Sequence, residues 1–146
     1  MFRKLKADGE RLETAIEQRD EFGVGAALMD FSVTATSLGE WYQPDVRKSE
    51  WLAAGVGRIL KSLAHAYKHA WDRQVKVGSN PGELQLSLKA GVMAGDCRVV
   101  AGDAVVTVDG SWTVCVYDSA GRLVGSVLAI KDQAIGWWDA RLEPPT

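Results

Sequence analysis

Gly78-Ser79-Asn80-Pro81-Gly82-Glu83-Leu84-Gln85-Leu86-Ser87-Leu88-Lys89 is the stretch that decides the fold. Its first five residues are turn formers. The proline lacks an amide hydrogen, and the glycines accept backbone angles that other residues avoid, so no regular element runs through them. Its second half alternates: Leu84, Leu86 and Leu88 share one face of an extended chain, and Gln85, Ser87 and Lys89 the other. Before the break, apolar residues recur every three to four positions; after it, every two. That change of period predicts an α+β domain, with a helical part over 1–76, then a β-meander and a C-terminal helix over 83–143. The segment beyond the break would make a thin core alone, so the break reads as a loop inside one domain of residues 1–146.

Three helices, packed as a bundle, are expected upstream. Leu5, Leu12 and Ile16 define an amphipathic helix over about 3–20, after which Gly23 and Gly25 loosen the chain. Val24, Leu28, Phe31, Ala35, Leu38 and Tyr42 lay one apolar stripe along a second helix, which Pro44 ends by pushing its predecessor out of the α region. Asp45 or Ser49 can cap a third, long helix reaching about Gln74, with Leu52, Val56, Ile59, Leu63, Tyr67 and Trp71 as its stripe and Leu60 beside it. Leu28, Phe31, Leu38, Ile59, Leu63 and Trp112 are the expected core.

Downstream, Cys97–Val100 is a weak strand candidate. Ala104–Val108 and Trp112–Tyr117 flank Asp109-Gly110, a strong hairpin signal, and Asp118-Ser119-Ala120-Gly121 marks a second turn. Leu123-Val124 either finishes the meander or joins the last helix. Ser126 can cap that helix, expected over about 126–142, within which Gly136 costs about 1 kcal/mol relative to alanine.

The composition, 47% hydrophobic and 25% charged, is that of an ordinary globular chain. A formal net charge of −2 argues against nucleic-acid binding by the whole surface, though not by a local basic face. No apolar run suits a signal peptide or a bilayer span, which predicts a cytoplasmic protein without a membrane partner. Cys97 and Cys115 are too few for a disulfide framework. Their apolar surroundings read as buried, reduced thiols, with a pairing of the two as the alternative.

Chemistry-bearing residues concentrate on the third helix. Arg58, Lys61, His65, Lys68 and Asp72 follow a 3-4-3-4 spacing, with His69 beside them, nearly opposite the apolar stripe. Such a face is commonly just the solvated side of an amphipathic helix. Its sharper reading is a catalytic or RNA-facing surface: an imidazole moves a proton at a ribose hydroxyl while Arg or Lys steadies the phosphate. Arg58, Lys61, His65 and His69 are the candidates for that role. His65 and His69 at i and i+4 can reach one metal ion, with Asp72 adding an oxygen. Ala66 follows His65 where a zincin would carry glutamate, and no third nitrogen or sulfur ligand stands nearby. No metal and no cofactor is therefore expected. Trp51, Trp71 and Trp112 fall at core or core-edge positions, and an exposed member of the Trp137-Trp138 pair would be an interface candidate.

Asp30-Phe31-Ser32-Val33-Thr34-Ala35, continuing to Leu38-Gly39-Glu40-Trp41, resembles a helix of a group of small bacterial and phage proteins reading Asp-Phe-x-Val-Thr-Ala and then Leu-x-Asp-Trp. A later helix of that group carries Arg-Asp-Ile-Ala-Asn followed by Lys-His. Here Lys61 to His69 is similar in part: Lys68-His69 agree, Lys61 stands for the arginine and His65 for the asparagine. The group is similar to the HEPN superfamily, whose active members are metal-independent ribonucleases marked by an arginine, a polar neighbour and a histidine five to seven positions on. Arg58 and His65 have that spacing with Ile59 in place of the polar residue. The resemblance spans residues 24–70. It implies a small binding or regulatory module of HEPN-like type, with a homodimer through its helices and a protein or RNA partner. The alternatives are a metal-independent ribonuclease using these four residues, and a structural or inhibitory protein of a mobile element. The departures from the motif favour a binder over an enzyme.

Overall fold

A computed structural model describes residues 1–42, 44–70, 86–92 and 112–142 of the chain, with the side chains of 44–48, 66–70, 86–87 and 90–92 left aside. Four helices, α1 (Phe2–Glu17), α2 (Glu21–Trp41), α3 (Pro44–Ala53) and α4 (Gly55–Ala70), precede three strands, β1 (Leu86–Val92), β2 (Trp112–Asp118) and β3 (Leu123–Ser126), and a last helix, α5 (Val127–Leu142). The fold is α+β, as the change of period predicts. No described helix is long and apolar enough to cross a membrane. The Gly78–Gly82 break, Leu84, Cys97–Val100, Ala104–Val108 and Asp109-Gly110 lie outside the described residues.

The first turn of the chain is not made by glycine. Arg19 stands at φ 53°, the left-handed position that closes a helix. Its amide donates to the Ile16 carbonyl at 3.0 Å, and the Asp20 amide donates to the Ala15 carbonyl at 2.9 Å. These two bonds satisfy the last carbonyls of α1 in a Schellman arrangement. Asp20 then caps α2, its carboxylate accepting from the Gly23 amide at 3.0 Å. Gly23 and Gly25 therefore lie inside α2 rather than before it.

The expected α2 stripe is the centre of the core. Val24, Leu28, Phe31, Ala35 and Leu38 are all buried, while its last member, Tyr42, is exposed. Pro44 opens α3, where its missing amide hydrogen costs nothing.

The long third helix is two helices. The hydrogen-bond ladder hands over at Ala54, whose amide donates to the Glu50 carbonyl and whose carbonyl accepts from Arg58. The cause is a close approach: a Cβ on Gly57 would stand 1.8 Å from the carbonyl oxygen of Trp51, so the two segments meet at an angle that only glycine permits. The break shifts the phase of α4. Val56, Leu60 and Leu63 are buried, and Ile59 and Leu52 pack partly covered against them.

The strands form one antiparallel sheet in the order β1-β2-β3, with Leu88 opposite Val116 and Cys115 opposite Ser126. Val114 and Val116 join the helical core through α1 and α5, and Trp112 lies at its margin, not inside it. Cys115, on the other face, is disulfide-bonded. The expectation of reduced thiols fails for Cys115, and with it the case from cysteines for a reducing compartment. Gly121, at φ 78°, closes the turn after β2, and Asp118 accepts from the Ala120 and Arg122 amides at 2.9 Å each. The open question at Leu123-Val124 resolves as strand. Ser126 caps α5, its hydroxyl accepting from the Ala129 amide at 3.1 Å.

Helix α5 is pinned to α1 by a buried cation. Lys131 is 5% exposed and pairs with Glu13 of α1 and, at 2.8 Å, with Asp132. Its stem runs over Gly9, where an added Cβ would meet Lys131 Cδ at 3.2 Å. Burial alone would lower the Lys131 pKa, but hydrogen bonds and charge from Asp132 and Glu13 together outweigh it and raise the pKa above 10.5. The stability this pairing gives is therefore complete below about pH 10 and lost as pH climbs through the raised value. Denaturant titrations should show an alkaline loss of stability that is smaller in Lys131→Met.

Gly57→Ala should cost about 1–3 kcal/mol in denaturant titrations, because its methyl meets backbone that cannot turn aside. Gly55→Ala, where nothing lies within 4 Å, should be neutral or stabilising.

Candidate functional site

Helices α2 and α4 lie side by side and leave an open groove of about 420 Å³ between them. Met29, Val33, Thr36 and Ser37 form one wall; Lys61, Ala64 and His65 form the other. The α2 wall exists because that helix is apolar round most of its circumference. Phe31 and Leu38 serve the core, and Met29 and Val33 are left over on the outer side. The α4 wall is set by the buried row: with Val56, Leu60 and Leu63 turned inward, Lys61 and His65 come to the flank.

Of the four residues singled out from the sequence, the structure brings two to this groove. Lys61 is exposed and His65 half-buried, and both line it. Arg58 is exposed on α4 outside the lining, about 10 Å along the helix axis from His65. His69 and Lys68 belong to the backbone of α4, with their side chains outside the described ones, and Asp72 and Trp71 lie beyond the described residues. Among the described residues, no group of three or more His, Cys, Asp or Glu side chains converges to hold a metal ion.

Two hydroxyls are enclosed behind the α2 wall. The Thr36 hydroxyl is buried without a hydrogen-bond partner, and so is that of Ser32, one turn earlier. A buried hydroxyl left unpaired costs about 1–3 kcal/mol. Thr36, Met29 and Val33 are site residues that the core-facing stripe of α2 does not reveal. The signal that finds them is the second apolar row, Met29–Val33, on a helix whose core face is already complete.

The residues that carry the first half of the HEPN-like resemblance have structural work. Asp30 accepts from Arg11 of α1 at 2.9 Å, and the Thr34 hydroxyl donates to the buried Asp8 carboxylate at 2.8 Å. Lys4 donates to Asp8 at 2.5 Å and to Thr34 at 2.9 Å. Phe31 and Ala35 fill the core between these polar contacts. The motif thus clamps α2 onto α1 and contributes no side chain but Val33 to the groove. Trp41, at its end, is 71% exposed.

The six tryptophans divide accordingly. Trp51 and Trp138 are fully buried, tilted against each other at 5.2 Å between ring centres, and each meets Trp137 edge-on, at 5.0 and 4.7 Å. The outer face of Trp137 is covered by the Arg141 guanidinium at 3.7 Å, so neither member of that pair is an open interface residue.

No family model, no curated protein and no solved structure matches the chain.

Thr34→Val should cost about 1–3 kcal/mol in denaturant unfolding, since it leaves the buried Asp8 carboxylate short of a donor. Val33→Ala, one residue away but outward-facing, should change stability by less than about 0.5 kcal/mol.

Proposed function

We propose that the chain is a binding or regulatory module of the HEPN-like helical type, working through the α2–α4 groove and not by cutting RNA. The observation that carries this reading is the make-up of the groove: an apolar wall of Met29 and Val33 faces one ammonium and one imidazole, Lys61 and His65. A ribonuclease must hold a polyanion, and most of that affinity comes from neutralising phosphates. It also needs a base to take the 2′-hydroxyl proton and an acid to protonate the leaving oxygen. His65 can fill one of these roles, and among the described residues the others that line the groove, apart from Lys61, carry alcohols and apolar side chains.

A metal-independent ribonuclease is the second reading, favoured by the seven-residue spacing of Arg58 and His65 along one helix. The two separate in one assay. Purified protein incubated with single-stranded RNA in the presence of a chelator should give no cleavage. Cleavage abolished by His65→Ala would establish the enzyme instead. Cleavage abolished by His69→Ala would establish it too, with Lys61 and His69 as the working pair.

A further inference from the structure

We propose that the sheet is locked by a disulfide between Cys115 and Cys97, which ties the stability of the fold to the thiol–disulfide balance of its surroundings. The inference is independent of the groove. Cys115 is disulfide-bonded. The chain carries one other cysteine, Cys97, which lies outside the described residues, so the count alone names the partner within the chain. A second copy is the other source of a sulfur, and the position of Cys115 disfavours it. The residue stands on the middle strand, opposite Lys89 of β1 and Ser126 of β3, and is 0% exposed. A sulfur from another molecule reaches it only if the sheet opens.

The surroundings of Cys115 are not those of a cysteine that merely fills the core. Its neighbours along β2, Val114 and Val116, face the helices and complete the core there. Cys115 faces the other way, where strand alternation groups it with Thr113, Tyr117 and, across the pair, Lys89. That face is polar: Lys89 is exposed, and its ammonium lies over the Tyr117 ring at 4.9 Å. The two cysteines are eighteen positions apart. Closing a loop of that size removes enough freedom from the unfolded chain to raise a thermal midpoint by about 10 °C. The bond forms by exchange. The thiolate of one cysteine attacks a small-molecule disulfide, expels one small thiolate and leaves a mixed disulfide on the protein. The second cysteine's thiolate then attacks the protein-side sulfur and expels the other small thiolate. The two protein thiols give up two electrons and two protons, and one small disulfide becomes two thiols.

The test uses the full chain, folded in a mixture of reduced and oxidised glutathione, then unfolded in denaturant and alkylated. Mass spectrometry should find no alkyl group on it, and two when reduction precedes alkylation. A proteolytic digest should yield one linked peptide pair that holds Cys97 and Cys115. Dithiothreitol should break the bond about tenfold more slowly in native buffer than in denaturant, because the Cys115 sulfur is covered. Once reduced, the protein should melt about 10 °C lower. Cys97→Ala leaves the packing at Cys115 in place; it should melt with the reduced parent and not respond to dithiothreitol. The pairing is overturned if two alkyl groups add without reduction, or if non-reducing electrophoresis shows a dimer. It is overturned equally if dithiothreitol shifts Cys97→Ala as far as the parent. A reduced parent that melts within about 2 °C of the oxidised one overturns the dependence of the fold on the bond.

Discussion

Trp51 stands at the point where three helices meet, and its position sets the geometry of the groove. Its carbonyl lies against Gly57, and its ring packs on Trp137 and Trp138 of α5. The first contact bends α3 away from α4, and the second holds that bend against the C-terminal helix. Arg141 reinforces the same corner by stacking on Trp137 and approaching Glu50 of α3 at 3.5 Å. A straight helix over the same residues would keep one phase throughout, with Ile59 inward, and would present a different edge to α2. The bend sets Leu60 in the core and Lys61 on the flank.

The α2 side of the groove depends on a separate constraint. Asp8, buried on α1, is held by Lys4 and by the Thr34 hydroxyl, while Arg11 bridges to Asp30. A buried carboxylate is tolerated only with such partners. Satisfying it fixes the rotation of α2 about its axis, because Asp30 and Thr34 are one turn apart and both must face α1. Once that face is spoken for, and Phe31 and Leu38 point into the core, Met29 and Val33 have only the outer side left. The apolar wall of the groove is thus a consequence of the clamp.

Much of this is legible in the sequence. The stripe of α2, the turn at Asp118–Gly121 and the Ser126 cap obey local rules of spacing and turn chemistry. The bend at Ala54 is not legible, since Gly55-Val56-Gly57 sits inside an uninterrupted helical period and the reason for glycine there is a carbonyl six residues back. The Arg19 closure is hidden for the opposite cause: a left-handed arginine looks like any helical residue, whereas the glycines nearby draw the turn toward themselves. For the site, periodicity places Lys61 and His65 on the polar flank of α4. It is silent on what faces them, because the pairing of two helices is a matter of packing and not of period.

If the Trp51 corner and the Asp8 clamp hold α1, α2, α4 and α5 as one unit, the groove is preformed in the unliganded protein. Native-state hydrogen exchange tests this directly. The amides of Phe31, Leu60 and Ala134 should exchange only through global unfolding, with one shared opening free energy equal to that from denaturant titration. Exchange at Leu60 or Ala134 through an opening cheaper than that of Phe31 by more than about 2 kcal/mol would contradict it, for α4 or α5 would then move independently and the groove would have no fixed walls.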